Sequence, residues 1–313
     1  MSANNVLIRK NGFFHEIAKN KILYIMVVPA ILFFIFNSYM PMFGIYLAFT
    51  RYDFKGGIFG SPFIWFENFR YLFESGSLWT ITRNTILYNI VFIFLGNALQ
   101  IFAAILLAGI PGRIYKKITQ SIMFLPYFVS FVILGAFVYN ILNYERGLMN
   151  SVFVSLGLER FDVYNTPSFW PFAMVGFYLW KWLGYGTVIY LAAILGISDE
   201  YYEAAEIDGA NMFQQVKHIT LPLLKPTFIT LLLLSIGSIM RGQFELFYNV
   251  VGSNGVLYQA TDIIDTFVYR SITTTFDIGL GSAAGLYQSI FGFTLIMVVN
   301  TVIKRINEDY ALF

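Results

Sequence analysis

Arg241 and Glu245 stand four residues apart in a largely apolar run, with Gln243, Tyr248 and Asn249 beside them. On a continuous helix that spacing places both charges on one face, where they can pair. Lys181 lies in another apolar run, between Trp180 and Trp182. Ionisable groups at membrane depth cost free energy and are rarely idle. Aromatic faces with nearby amides and charges can stack on, and hydrogen-bond to, a polar ring-bearing solute. Lys181, Trp182, Arg241, Gln243, Glu245, Tyr248 and Asn249 are therefore the candidate pathway residues. The bland alternative is that Arg241 and Glu245 only pair with each other or with a partner chain, and that Lys181 snorkels to an interface. Trp and Tyr are also ordinary membrane-belt residues.

A second constellation is polar. Asp199, Glu200, Glu203, Glu206 and Asp208 form an acidic island between two long apolar runs. Ser198 with Asp199 and Glu200 suits a helix N-cap and first turn. Ala204 and Ala205 are small enough for close approach by a partner surface. Gly209 permits a backbone reversal that larger residues resist. A second short helix is expected over Asn211–Ile219, ended by Pro222. An amphipathic connector resting on lipid is the competing reading, and the acidic charge opposes it, because the anionic inner leaflet attracts basic helices.

The elements that carry these residues follow from composition. The chain has 313 residues, 58% hydrophobic and 12% charged, whereas soluble domains carry about 25% charged residues. The excess apolar surface needs lipid. Six runs are long enough to cross it: Ile22–Phe49, Asn84–Gly109, Ile118–Leu142, Phe169–Leu195, Leu223–Val251 and Ser282–Ile303. They are expected to be helices, giving an all-α membrane protein with a single domain over residues 1–313, an N-terminal tail over 1–21 and a polar loop over 196–222. No small-x-small cleavage site follows the first run, so it reads as an uncleaved span. Arg9, Lys10, Lys19, Lys21, Arg113, Lys116, Lys117, Lys217, Lys225, Lys304 and Arg305 fall on one side of the set, more densely than the basic residues of the opposite loops. That places both termini and the acidic island in the cytoplasm.

Several function classes are excluded. Net charge is +2 and cysteine is absent, so there is no basic field for nucleic acid and no thiol chemistry. His15 and His218 lie far apart in sequence, and no H-E-x-x-H or G-x-S-x-G motif is present. No catalytic or metal-binding residues are expected. No P-loop motif is present either, so this chain binds no nucleotide of its own.

Four sequences resemble the permease subunits of maltose-type, carbohydrate-uptake ABC importers. They are Glu203-Ala204-Ala205, three residues, Gly209 and, nine residues on, Ile219-Thr220-Leu221-Pro222; Ile189–Leu195 with Ile197 after it; Phe124-Leu125-Pro126-Tyr127; and Thr261–Arg270, which is similar to the outer loop of permeases for complex oligosaccharides. The similarity covers nearly the whole chain, with Ser198 where sugar permeases usually have Pro. It implies a type I importer fold in a bacterial cell membrane, with half of a sugar pathway in this chain. It implies a second homologous permease subunit, two ATP-binding subunits that hold ATP and Mg, and an extracellular solute-binding protein. By resemblance, Glu203, Ala204, Ala205, Asp208, Gly209, Ile219, Leu221 and Pro222 form the ATPase-coupling loop. Lys181 and Arg241 would suit an acidic, uronate-containing oligosaccharide. A permease for an amino acid, polyamine or phosphate would share the coupling loop and is the alternative, ahead of a secondary transporter, which would carry mid-span ionisable groups and paired repeats.

Overall fold

In lipid every backbone polar group must pair within the protein, so long apolar segments resolve as helices. The computed structural model describes residues 19–306. Arg9, Lys10 and His15, with the rest of residues 1–18, lie outside the described residues, as do residues 307–313. All regular elements among the described residues are helical, and one antiparallel bridge joins Thr50 to Phe63.

Helix α1 runs over Lys21–Phe49, passing through a π turn at Ile35–Tyr39 and a 3₁₀ stretch at Met40–Phe49. Its α-helical part, Lys21–Phe34, buries no side chain within this chain. There follow α2 (Glu67–Glu74), α3 (Ser77–Ala108), α4 (Arg113–Phe124), α5 (Phe131–Leu142), α6 (Leu148–Ser155) and α7 (Trp170–Leu195). The second half comprises α8 (Asp199–Ile207), α9 (Met212–Gly237), α10 (Phe244–Val251), α11 (Ile264–Thr273) and α12 (Ile278–Ile306).

Three segments depart from the sequence expectations. The third apolar run is bent: α4, with the 3₁₀ turn Leu125–Phe128, meets α5 at 90°. The fifth run is broken, because α9 stops at Gly237 and α10 begins only at Phe244. Arg241 lies in that break, so it shares no helix face with Glu245, and the two form no ion pair among the described residues. Finally, Pro222 does not end a short helix. The helix continues from Met212 through Pro222 to Gly237, with a π turn at Val216–Thr220 just before the proline. Proline lacks an N–H and crowds the carbonyl four residues earlier, and a wider turn accommodates both defects.

Three clusters of buried side chains hold the helices together. One joins Tyr88 and Phe92 of α3 to Leu134 and Val138 of α5, Trp170 and Met174 of α7, and Leu246 and Phe247 of α10. A second centres on Ile81, Met240, Ile264, Ala283 and Ala284. A third joins Ala104 and Leu107 of α3 to Tyr190, Leu191 and Ile194 of α7 and Leu224 of α9.

The bend in the third run is packed backbone to backbone against α7. A Cβ at Gly184 would collide with the Met123 carbonyl. Gly184→Val is therefore expected to cost about 2 kcal/mol or more through overpacking. A lowered thermal-inactivation midpoint of the purified complex would show it.

Candidate functional site

The break after α9 opens a cavity of about 240 Å³ against α3 and α7. Asn89, Asn97 and Gln100 of α3 line it, with Tyr178, Trp182 and Tyr185 of α7 and Ser238, Arg241 and Gln243 of the break. The α3 amides recur at helical spacing in the stretch of that helix beyond Thr85, which is otherwise largely apolar. Their hydrogen bonds fix them: Asn97 donates to the Ile93 carbonyl at 2.7 Å and accepts from the Tyr190 hydroxyl at 2.6 Å. Asn89 donates to the Thr85 carbonyl at 2.8 Å and to the Arg241 carbonyl at 3.3 Å. Gln100 donates to the Trp182 carbonyl at 3.3 Å, with its amide packed directly against Gly186, where a Cβ would displace it.

The opposite wall is aromatic. Tyr178 stacks on Phe92 with centroids 3.9 Å apart, and Trp182 lies 5.9 Å from Tyr185 and 6.3 Å from Tyr178. The Trp182 indole nitrogen is buried and has no hydrogen-bond partner among the described residues. Arg241 is the charged residue of the lining and is exposed. Stacking faces, amides and one cation thus converge in a small space.

The other pathway candidates lie elsewhere. Lys181 is buried, and its Nζ donates to the Tyr127 carbonyl at 3.0 Å and to the Val129 carbonyl. It also sits 4.6 Å above the Phe131 ring centroid. It neither lines the cavity nor snorkels: it satisfies carbonyls at the bend between α4 and α5. Glu245, Tyr248 and Asn249 are on α10 and do not line the cavity. Tyr248 stacks on Phe244 at 5.2 Å and meets Tyr269 of α11 at 4.8 Å. Asn249 donates to the Glu245 carbonyl at 2.7 Å, while its own carbonyl packs against Gly135 of α5.

The segment Thr261–Arg270 is tied down by a buried ion pair. Arg270 donates to both Asp262 carboxylate oxygens, at 3.0 and 2.6 Å, and its guanidinium lies 3.9 Å over Tyr258. Burial works against the Arg270 charge, but the Asp262 carboxylate outweighs it and holds the guanidinium above its usual pKa. Asn84 of α3 donates to the Asp262 carbonyl at 3.0 Å, and the Thr85 hydroxyl accepts from Ile264 N–H at 3.0 Å. This clasp positions α11 on α3.

The acidic island forms a knuckle. Helix α8 turns 68° away from α7 after a short break at Gly196–Ile197. Ser198 occupies the N-cap position with extended backbone, although its hydroxyl makes no capping hydrogen bond. Gly209 has φ of +76°, the left-handed conformation that glycine adopts freely. Around it Asp208 N–H donates to Ala204 O at 3.1 Å, Gly209 N–H to Glu206 O at 3.0 Å and Ala210 N–H to Ala205 O at 2.8 Å. Asn211 and Gln214 then cap α9 reciprocally, at 2.9 and 2.8 Å. The Tyr202 hydroxyl lies 3.0 Å from that of Thr220, tying α8 to α9. Glu203, Ala204, Asp208, Gly209, Leu221 and Pro222 are exposed, and Ala205 and Ile219 half-buried. Ile207 is 88% exposed and Phe213 75% exposed. The knuckle is thus acidic, with large apolar side chains exposed beside its turn.

An interrupted span at a polar cavity, within a set of long apolar helices, is the architecture of a membrane transport protein. The profile of the binding-protein-dependent transport system inner membrane component family matches residues 96–308. The chain belongs to that family, as a non-catalytic, membrane-integral permease subunit of an ABC importer. The polygalacturonan/rhamnogalacturonan transport system permease protein YteP of Bacillus subtilis is 30% identical over 295 residues, covering 94% of this chain and 91% of that protein. A crystal structure of a bacterial ABC transporter involved in import of the acidic polysaccharide alginate matches with a TM-score of 0.84 and 28% identity, over 94% of this chain and 99% of the other. The same transporter type, in complex with an alginate pentasaccharide-bound periplasmic protein, matches at 0.83 with 28% identity, over 94% and 98%.

Proposed function

We propose that the chain forms half of the membrane pathway of an ATP-driven, binding-protein-dependent importer for oligosaccharides, with uronate-containing chains as cargo. The observation that carries this is the cavity, where Arg241 stands among Tyr178, Trp182 and Tyr185 and the α3 amides. Stacking serves the apolar face of a pyranose, the amides serve hydroxyls, and Arg241 serves a carboxylate. The likeness to an importer of an acidic polysaccharide supports the same cargo class.

The helices give six crossings when each bent pair counts as one span. The density of basic residues puts both termini and the α8 knuckle in the cytoplasm of a bacterial cell, with α11 outside. A second, homologous permease subunit completes the pathway. Two ATP-binding subunits dock on the knuckles and hold ATP and Mg, and an extracellular binding protein delivers sugar. Closure of the ATPase pair pushes the knuckles together and turns the cavity outward, so ATP hydrolysis works a two-state element in trans.

The test is ATPase activity and uptake by the complete complex in lipid, with its binding protein, across neutral and uronate oligosaccharides. Uronates are expected to stimulate hydrolysis. Arg241→Gln removes a charge-assisted hydrogen bond of about 1.5–3 kcal/mol, a loss of roughly ten- to a hundredfold for uronate uptake. Equal loss for neutral and acidic sugars would count against the acidic cargo, and stimulation by neither would sink the sugar reading.

A further inference from the structure

The break over residues 238–243 frees backbone groups that a continuous helix would have satisfied. Three consecutive residues of it are held by side chains from three different helices. Gln288 of α12 donates to the Met240 carbonyl at 2.6 Å, Asn89 of α3 donates to the Arg241 carbonyl at 3.3 Å, and Gly242 N–H donates to the Asp265 carboxylate of α11 at 2.6 Å. The same Gln288 amide reaches the other Asp265 oxygen at 3.3 Å, so the two side chains brace each other. A Cβ at Gly242 would collide with Ile263 Cδ1 and stand 2.8 Å from Asp265 Oδ2, so the latch closes on bare backbone.

Neither Asp265 nor Gln288 lines the cavity. Asp265 is also opposite in charge to Arg241 and close enough to feel it, but the guanidinium forms no ion pair among the described residues. Burial pushes the Asp265 carboxyl above its usual pKa, while the Gly242 N–H, the Gln288 amide and the Arg241 charge pull it down.

We propose that Asp265, braced by Gln288, is a positioning residue that latches the interrupted fifth span and thereby holds Arg241 toward the cargo. The proposal rests on the reading of the cavity as the sugar site. A backbone free to turn would swing the Arg241 side chain through several ångströms, and misplacing a charged donor by one ångström is enough to lose most of its hydrogen-bond energy. Asp265 thus contributes to acidic-sugar selectivity without touching the sugar.

The experiment uses the complete complex locked outward with vanadate and Mg-ATP, without binding protein. Binding of a uronate tetrasaccharide and of its carboxyl-reduced neutral counterpart is measured by equilibrium dialysis. Asp265→Ala and Gln288→Ala are expected to weaken uronate binding at least fivefold and to leave the neutral sugar within twofold. Asp265→Asn keeps an oxygen for Gly242 N–H but turns its NH2 toward the Gln288 amide, so it is expected to bind uronate more tightly than Asp265→Ala while falling short of wild type. Equal weakening of both sugars, or no weakening, overturns the proposal. A second readout does not depend on cargo. Because the chain has no cysteine, Gln243→Cys places a single thiol in the latched segment, and its modification by a water-soluble thiosulfonate reports the latch. Asp265→Ala is expected to change that rate at least threefold, with Asp265→Asn giving an intermediate rate, and an unchanged rate overturns the latch. A wild-type complex that binds neither sugar, with the labelling change present, would instead fail the sugar reading and leave the latch standing.

Discussion

Gly209→Pro is expected to abolish sugar-stimulated ATP hydrolysis, by more than tenfold, in a complex that still assembles in the membrane. Proline fixes φ near −65° and cannot adopt the +76° seen at Gly209. It also deletes the N–H that donates to Glu206 O at 3.0 Å. Both losses fall on the turn that sets α8 against α9, while the buried clusters that hold the helices together contain no residue of that turn. Gly209→Ala separates the causes. A Cβ there meets nothing within 4 Å, so the change carries only the left-handed penalty of about 1–2 kcal/mol. It is expected to retain partial stimulation. Hydrolysis that follows sugar normally in Gly209→Pro would remove the knuckle from the coupling route.

Lys181→Met is expected to damage the complex for every cargo alike. The methionine fills the volume but leaves the carbonyls of Tyr127 and Val129 without their donor inside the protein. Buried groups left unsatisfied cost about 1–3 kcal/mol each, and here they sit at the 90° bend between α4 and α5. The expected result is lower thermal stability with the ratio of acidic to neutral uptake unchanged. A shifted ratio would return Lys181 to the cargo pathway. The contrast with Arg241→Gln, which moves the ratio, distinguishes a structural cation from a recognising one.

Much of this was legible in the residues. Glycine after an acid-rich helical stretch announced the reversal at Gly209, because few other residues tolerate positive φ. The paired small residues and the Ile219–Pro222 spacing carried the family. The break in the fifth run was hidden, since hydropathy stays high through Ile239 and Met240 and no proline interrupts 238–243. Its cause is tertiary: Asn89, Asp265 and Gln288 supply the hydrogen bonds that a helix would have made. With continuity assumed, Arg241 and Glu245 were wrongly set on one face. Lys181 misled for a related reason, because the carbonyls it serves lie more than fifty residues away in sequence. Asn89, Asn97 and Gln100 were missed although their helical recurrence in an apolar run was a usable signal.

Helix α9 runs for 26 residues from the knuckle to the latched break. At 1.5 Å per residue that is about 39 Å of connecting rod. Its softer features, the π turn and Pro226, lie in the half nearest the knuckle. In the proposed importer, the far end would deliver whatever displacement survives directly to the backbone that carries Arg241. On that proposal grip and stroke are two readings of one part: a substitution that tightens the hold on cargo would also load the rod, and is expected to show itself as a change in the ATP consumed per sugar moved.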